Sequence, residues 1–311
     1  MKAIRIHEFG GPDVLRWEDV ATPTPRPSDV LIRVIAASVN PIDCKIRSGP
    51  MKDALRRPLP VILGWDAAGI VESVGAAVTK FGPGDAVYTY PEFARGGAYA
   101  EFVAVDESQV ALKPRTIPFA SAAALPMAAQ AAWTAIISTG ELAAGQMVLI
   151  HGAAGSLGSV AVQLAKHRKA KVVATATGEG IDLVHSLGAD QVIDYKAERF
   201  ADLVENADLV VDTIGGATQE ESWSVLKPGG LLVATAIPPS PDRAKAAGVR
   251  ASFIFTMPNG AVLEQLAALV DSGQLRPILA REMALADAAK AHALVESGQS
   301  KGKIVFHVGQ P

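Results

Sequence analysis

The sequence predicts an α/β protein in two parts: a β-rich barrel or sandwich, and a doubly wound parallel sheet. Three observations predict it. Short Val-, Ile- and Tyr-rich runs punctuated by Gly and Pro fill the first third. From about residue 119, strand-like runs alternate with helix-patterned ones, as a parallel sheet with crossover helices requires. The tail then returns to mixed character, as expected if it packs back on the first part.

In order, "KAIRIHEF", "DVLIRVIAASVN", "AAGIVESVG", "DAVYTY" and "AYAEFVAVD" read as strands, separated by turn-forming "GGP", "PTPRP" and "FGPGD". "ASAAALPMAAQAAWTAIISTG" reads as helical. The alternation follows: strand "QMVLIHG", helix "SLGSVAVQLAKHR", strand "AKVVATAT", helix "GIDLVHSLG", strand "QVIDY", short helix "ADLVENA", strand "DLVVDTIG", helix "ATQEESWSVL" and strand "GGLLVATAI". Amphipathic helices "NGAVLEQLAALVDSGQ" and "LADAAKAHALVESGQ" and a closing strand "KGKIVFHV" form the tail. The domains are therefore expected at 1–118, completed by 253–311, and at 119–252.

The 311 residues suit about two domains. A net charge of −3 without a dense Lys/Arg block gives no footprint for nucleic acid. One cysteine, Cys44, permits neither an internal disulfide nor a cysteine-based zinc site. "MKAIRIHEFGG" holds no apolar run of signal-peptide length. "FASAAALPMAAQAAWTAI" is small-sided and broken by Pro126 and Gln130, unlike a span of about 20 apolar residues. A soluble cytoplasmic protein with no membrane partner is expected.

The chemistry concentrates in "VLIHGAAGSLGSVAVQLA". Ala153, Gly155 and Gly158 have dinucleotide-fingerprint spacing, with a strand before and a helix after. Gly155 lets the backbone approach a pyrophosphate, and Gly158 lets the helix pack on the sheet. The amides around Ala154, Gly155, Ser156 and Leu157 face the phosphates, backed by the helix dipole. Where NAD-type sites carry Asp or Glu, the next strand ends in Ala176 and Thr177. Thr177 can donate to a 2′-phosphate, and Tyr195 reaches toward the same place. Glu179 stands against this. NADPH is the expected cofactor, with NADH open because of Glu179.

Seven stretches carry a family resemblance: "VNPIDCKIRSG", "LPVILGWDAAGIVESVG", "GGAYAEFVAV", "ALPMAAQAAW", "VLIHGAAGSLGSVAVQLAK", "LGADQVIDY" and "KGKIVFHV". Together the chain resembles the medium-chain dehydrogenase/reductases, in the zinc-independent quinone oxidoreductase (zeta-crystallin-like) branch. The resemblance implies a GroES-like catalytic domain from both chain ends, a Rossmann domain between them, an active site in the cleft, and a homodimer through the edge of the Rossmann sheet. Where the zinc branch has a Cys ligand, this chain has Asn40. The Gly-His-Glu motif is here Gly64, Trp65, Asp66, and the four-cysteine lobe is missing. Lys45 replaces a frequent Tyr, Ala131 a Thr, and Glu179 a frequent Lys or Arg.

The implied reaction is metal-independent hydride transfer from NAD(P)H to a quinone or other conjugated carbonyl, which spreads the arriving charge without a Lewis acid. Reduction of an enone, alkenal or enoyl double bond on the same fold is the alternative. A non-catalytic NADPH-binding protein, structural or regulatory, is a rival of another class. Asn40 and Lys45 are the candidate catalytic residues, and Lys45 is also a candidate cofactor contact or a plain exposed charge. Ala236, Ile237, Phe253 and Phe255 lie in stretches that the resemblance implies face the nicotinamide, and Ile214 and Gly215 follow a strand at its carboxyl end, where α/β ligands bind. Trp65, Tyr88, Tyr90, Phe93 and Met257 are candidate pocket walls.

Overall fold

The computed structural model describes residues 1–55, 57–298, 300 and 302–310. Lys301, which opens the "KGKIVFHV" stretch, lies outside the described residues. In chain order the strands and helices begin with β1 (Lys2–Ile6), β2 (Arg16–Asp19), β3 (Asp29–Ser38), α1 (Pro41–Arg47), β4 (Val61–Ile62), β5 (Ala67–Val74), β6 (Ala86–Thr89), β7 (Phe102–Asp106) and β8 (Val110–Leu112). Then come α2 (Phe119–Ala123), α3 (Pro126–Trp133), β9 (Met147–Ile150), α4 (Ser156–His167), β10 (Lys171–Ala176), α5 (Gly180–Ser186), β11 (Gln191–Asp194), β12 (Ala207–Asp212), α6 (Ala217–Ser222) and β13 (Leu226–Ala234). The chain closes with α7 (Pro241–Ala246), β14 (Arg250–Phe253), α8 (Gly260–Asp271), β15 (Leu279–Ala284), α9 (Ala288–Glu296) and β16 (Lys303–His307). No helix among the described residues is long and apolar enough to cross a membrane.

Two compact units result: Met1–Gln130 with Met257–Pro311, and Ala131–Thr256. In unit 1, β3 is the central strand, pairing antiparallel with β5, β7 and β16 in the seven-stranded sheet. A smaller sheet runs β2-β1-β4. Ile32, Val34, Val71, Val87, Val103 and Phe306 alternate inward from these strands and fill the core. Residues 119–130, assigned from sequence to the middle domain, group with unit 1, where α2 packs on β3 and β5. Residues 253–256 group with unit 2.

Helix α1 follows from "NPID". Asn40 is its N-cap, Pro41 opens it without needing an amide partner, and Asp43 sits at the third position. The Asp43 carboxylate accepts from the Asn40 backbone N–H at 2.9 Å and from the Tyr99 hydroxyl at 2.7 Å. Because Tyr99 donates there, His292 Nε2 must donate to Tyr99 at 3.2 Å, leaving Nδ1 to accept the Cys44 thiol at 3.4 Å. This chain of hydrogen bonds joins α1 to α9 beneath the surface. Arg47 adds an ion pair to Glu296. Burial raises the Asp43 pKa to about 7, lowers that of His292 to about 3, and pushes the Cys44 thiol up, so Cys44 is an inert core thiol.

Unit 2 is a six-stranded parallel sheet in the order β11-β10-β9-β12-β13-β14. The order reverses between β9 and β12, the crevice where open α/β sheets bind ligands. Leu149, Val173, Val210 and Leu232 fill its core. His151 bonds Thr175 at 3.1 Å and Ser222 at 3.0 Å, tying β9, β10 and α6 together; burial lowers its pKa to about 4.

Three expected elements differ. The helix expected over 120–140 breaks before Pro126, whose ring cannot continue a helix, and Thr134–Ser138 widen into a π-helix. "ADLVENA" is not a helix. A single 3₁₀ turn at Phe200–Asp202 is followed by loop, with Asn206 left-handed at φ 59°. "ATQEESWSVL" shortens to α6 plus a 3₁₀ turn at Trp223–Val225.

The buried groups set opposite pH dependences. His151 and His292 have lowered pKa values, so the unfolded chain takes up their protons first and stability is lost as pH falls below about 6.5. Asp43 has a raised pKa, so the folded chain takes up its proton first and acidification from about pH 7 toward about pH 4 adds stability. Asp43→Asn removes that offset. Urea denaturation should then show a loss of stability on acidification steeper by up to about 1.4 kcal/mol per pH unit in this window. Parallel curves for variant and wild type would mean that Asp43 stays ionised throughout.

Candidate functional site

In unit 2 the chain leaves β9 at Ile150, turns through His151–Gly155 and enters α4 at Ser156. Gly152 is left-handed at φ 65°, and a Cβ there would lie 2.5 Å from Thr213 Oγ1. A Cβ on Gly158 would lie 2.3 Å from the Gly152 carbonyl oxygen and 2.7 Å from Ala153 Cα. The helix therefore rests directly on the turn, and only glycine at 158 allows that approach. Gly155 caps α4 without a side chain, leaving the first-turn amides unpaired by helix geometry. Ala154, Gly155, Ser156 and Leu157 are half-buried here, at the positive end of a 12-residue helix. This cradle fits a diphosphate.

The other predicted cofactor residues sit at the carboxyl ends of neighbouring strands. Thr177 follows β10, Tyr195 follows β11, Ile214 and Gly215 follow β12, Ala236 and Ile237 follow β13, and Phe253 and Phe255 lie at the end of β14. Tyr195, Ile214, Ile237, Phe253 and Phe255 are 41–55% exposed, forming a rim of large apolar side chains. Sequence reasoning missed what fixes the rim. Buried Asp212 accepts the amides of Ile214 at 2.9 Å and Gly215 at 2.8 Å through Oδ1, and the Gln219 side chain at 2.9 Å through Oδ2. Gln219 also donates to the Ile237 carbonyl at 3.1 Å. One carboxylate thus ties the loops after β12 and β13. Glu179 is exposed at the N-cap of α5, where a carboxylate suits the helix dipole.

In unit 1, Asn40 is almost fully buried. Its Nδ2 donates to Asp66 Oδ2 at 2.8 Å, and its Oδ1 accepts from Lys303 Nζ. Lys303 also pairs with Asp66 Oδ2 at 2.9 Å. Asp66 further accepts the Ser38 hydroxyl at 2.8 Å and the Met127 amide at 2.6 Å. Asp66 and Lys303 were not among the predicted site residues. The available signal was a lysine on β16, whose other residues are mostly apolar. Lys45 is exposed on α1, away from this cluster's buried side chains.

Trp65, Tyr90 and Phe93, expected as pocket walls, pack in the core of unit 1. Trp65 is fully buried against Phe93, with ring centroids 4.7 Å apart, and Tyr90 meets the same ring edge-on. Burying large rings is favourable enough to draw them inward. Tyr88 is likewise buried and donates to the Leu263 carbonyl, anchoring α8. Met257 alone of these is open, 62% exposed.

The donor set in unit 1 does not fit zinc. The Asn40 oxygen is engaged by an ammonium, both Asp66 oxygens accept hydrogen bonds, and the Trp65 indole offers no ligand lone pair. Among the described residues, no group of three His, Cys, Asp or Glu side chains could hold a metal ion.

Comparison with known proteins agrees with this geometry. Residues 26–115 match the alcohol dehydrogenase GroES-like domain, and residues 187–306 match the zinc-binding dehydrogenase domain. An Arabidopsis thaliana protein named NADPH-dependent alkenal/one oxidoreductase, chloroplastic, is 39% identical over 99% of this chain and 79% of its own length. The quinone oxidoreductase from Coxiella burnetii superposes with a TM-score of 0.92 at 36% identity, covering 99% of both chains. The Escherichia coli quinone oxidoreductase complexed with NADPH superposes with a TM-score of 0.89 at 27% identity, over 99% of this chain and all of that one. The chain therefore belongs to the medium-chain dehydrogenase/reductases, in the zinc-independent quinone oxidoreductase branch.

Proposed function

We propose that the protein is an NADPH-dependent reductase of conjugated carbonyls, taking a quinone or an α,β-unsaturated aldehyde or ketone as acceptor. The observation that carries this reading is the rim of unit 2. The carboxyl end of the sheet gathers a glycine cradle for a diphosphate and a row of exposed apolar side chains. That pairing of an anion site with an uncovered apolar rim suits a dinucleotide with its ring system. The Arabidopsis relative's name supports the alkenal or enone acceptor, and the Coxiella structure's name supports the quinone.

Bound NADPH supplies the hydride and both electrons. The α4 amides hold the diphosphate, and Asp212 with Gln219 keeps the loops that carry Ile214, Gly215 and Ile237 in place. The Asn40 side-chain amide, held by Asp66 and Lys303, serves as a fixed donor for the acceptor oxygen. A conjugated acceptor delocalises the arriving charge, so a hydrogen bond serves where an isolated ketone needs a Lewis acid. Lys45, exposed one turn on, is a second contact for the cofactor or the oxyanion. We also read the protein as a cytoplasmic homodimer. Its supports are the family resemblance and the position of β14 at the sheet edge, open to pairing with a second copy.

Activity is tested by following nicotinamide oxidation with NADPH and NADH, each with phenanthrenequinone or a simple enone. Turnover of NADPH with either acceptor is expected. Tight cofactor binding with no turnover on any acceptor would favour the non-catalytic rival. Gly158→Ala pushes a methyl into the backbone of the cradle. A fluorescence titration should show NADPH affinity at least about tenfold weaker, about 1.4 kcal/mol. Unchanged affinity would place the diphosphate elsewhere. Glu179→Gln removes the carboxylate two residues beyond Thr177, the proposed 2′-phosphate contact. Repulsion between like charges in a water-like dielectric is worth about 1 kcal/mol. The expected result is a rise in kcat/KM of about fivefold for NADPH and none for NADH. A fall with NADH instead would assign Glu179 to the adenosine ribose.

A further inference from the structure

Four side chains in the interior of unit 1 form one hydrogen-bonded chain: Asp43 and Cys44 on α1, Tyr99 before β7, and His292 on α9. The Tyr99 hydroxyl lies 2.7 Å from Asp43 Oδ2 and 3.2 Å from His292 Nε2, and His292 Nδ1 lies 3.4 Å from Cys44 Sγ. Cys44 Sγ has a second neighbour, the His292 backbone carbonyl oxygen at 3.8 Å. Asp43, Tyr99 and His292 are fully buried, and Cys44 is almost so. The other carboxylate oxygen, Asp43 Oδ1, has no hydrogen-bond partner among the described residues.

Each link can be made with the hydrogen on either side, but the links are not independent. A hydroxyl has one hydrogen, and a neutral imidazole has one N–H. With Asp43 ionised, the carboxylate only accepts. Tyr99 donates to it, His292 Nε2–H donates to Tyr99, and the Cys44 thiol donates to Nδ1. A neutral Asp43 reverses every link. Its proton on Oδ1 would be a buried donor with nothing to meet, which is costly. On Oδ2 it has Tyr99 as acceptor, because the other neighbour of Oδ2, the Asn40 backbone N–H, only donates. Tyr99 then presents its hydrogen to Nε2, so the ring carries its own on Nδ1 and donates to Cys44 Sγ. The thiol hydrogen goes to the His292 carbonyl. In balance, the thiol hydrogen passes to Nδ1, the Nε2 hydrogen to the Tyr99 oxygen and the Tyr99 hydrogen to Oδ2, and one proton from solvent replaces the thiol hydrogen.

We propose that Asp43, Tyr99, His292 and Cys44 form a two-state proton wire, in which neutralising Asp43 moves the imidazole hydrogen of His292 from Nε2 to Nδ1 and so transmits the charge state of α1 to α9. The inference does not depend on the reductase reading. The surrounding groups place the charge change on the carboxyl. Burial raises the Asp43 pKa to about 7, and Asp66 before β5 adds to this, while the Asn40 N–H, the Tyr99 hydroxyl and Lys303 on β16 favour the ion. Burial and the Arg47 cation on α1 lower the His292 pKa to about 3, so the ring stays neutral. Burial, Asp43 and Glu296 on α9 push the Cys44 thiol up, against Arg47. Burial and Asp43 push the Tyr99 hydroxyl up, and burial with Asp66 and Asp43 does the same to Tyr90. Near neutral pH only Asp43 changes charge, and its three partners follow by moving hydrogens.

The test is proton–nitrogen correlation NMR of the full chain carrying isotope-labelled histidine, with the His292 signals assigned by their loss in His292→Gln. The two neutral tautomers and the imidazolium have distinct ring-nitrogen shifts, so the possible states separate. At about pH 8.5 His292 is expected as the Nε2–H tautomer and at about pH 5.5 as the Nδ1–H tautomer, with the swap centred near the Asp43 pKa of about 7. Tyr99→Phe cuts the link between carboxyl and ring, and Asp43→Asn removes the titrating group, so each variant should hold one tautomer across this range. A wild-type ring that keeps one tautomer at both pH values overturns the inference. A ring that becomes imidazolium does so too, because the proton would then rest on His292. A swap that persists in either variant also overturns it, since the ring would be responding to another group. If one variant does not fold, the other serves, and the wild-type titration is decisive against the inference without either.

Discussion

A buried carboxylate must gather donors from whatever elements surround it, and this constraint organises both units. Asp66 collects a hydroxyl from β3, an amide side chain from the N-cap of α1, an ammonium from β16 and a backbone amide from α3. Asp212 collects two backbone amides and a side-chain amide from the loop and helix that follow it. Neither carboxylate can move without stranding its donors, and stranding a buried charge costs several kcal/mol. Each is therefore a fixed point in its unit. The residues proposed for chemistry hang from these points, Asn40 from Asp66, and Ile214, Gly215 and Ile237 from Asp212.

The second constraint is close backbone approach. Where α4 rests on the Gly152–Gly155 turn, any Cβ at position 158 would overlap main-chain atoms. The same contact presents the helix amides as an anion cradle. Packing and binding are thus one requirement at this point, which is why glycine spacing is so informative about it.

That coupling explains what could be read from sequence and what could not. The alternation of strands and helices, the glycine turn and the strand-end residues around it are local properties, encoded within a few residues of each other. α1 was also locally encoded, in an Asn-Pro-x-Asp run that carries both its cap and its first turn, although its signature was not drawn out. The Asp66–Lys303 pair was not legible in this way. Its members are more than two hundred positions apart and meet only because β16 pairs antiparallel with β3. Trp65 shows the opposite difficulty. Its place in a ligand motif suggested an open pocket, yet an indole gains more by packing on Phe93 than by lining one. The break at Pro126 follows from the ring, but the π-helical widening at Thr134–Ser138 has no comparable local signature.

Asn40 and Trp65 stand where the family resemblance places metal ligands in the zinc branch, and the two side chains are accommodated in two different ways. The indole joins the apolar core. The amide joins a charged triangle whose cation sits on its oxygen. A metal stabilises a developing oxyanion by direct contact, and a hydrogen bond does so only if its donor is already oriented before charge arrives. An Asn on a flexible loop would have to reorganise during the step. An Asn held at both ends by Lys303 and Asp66 is already oriented.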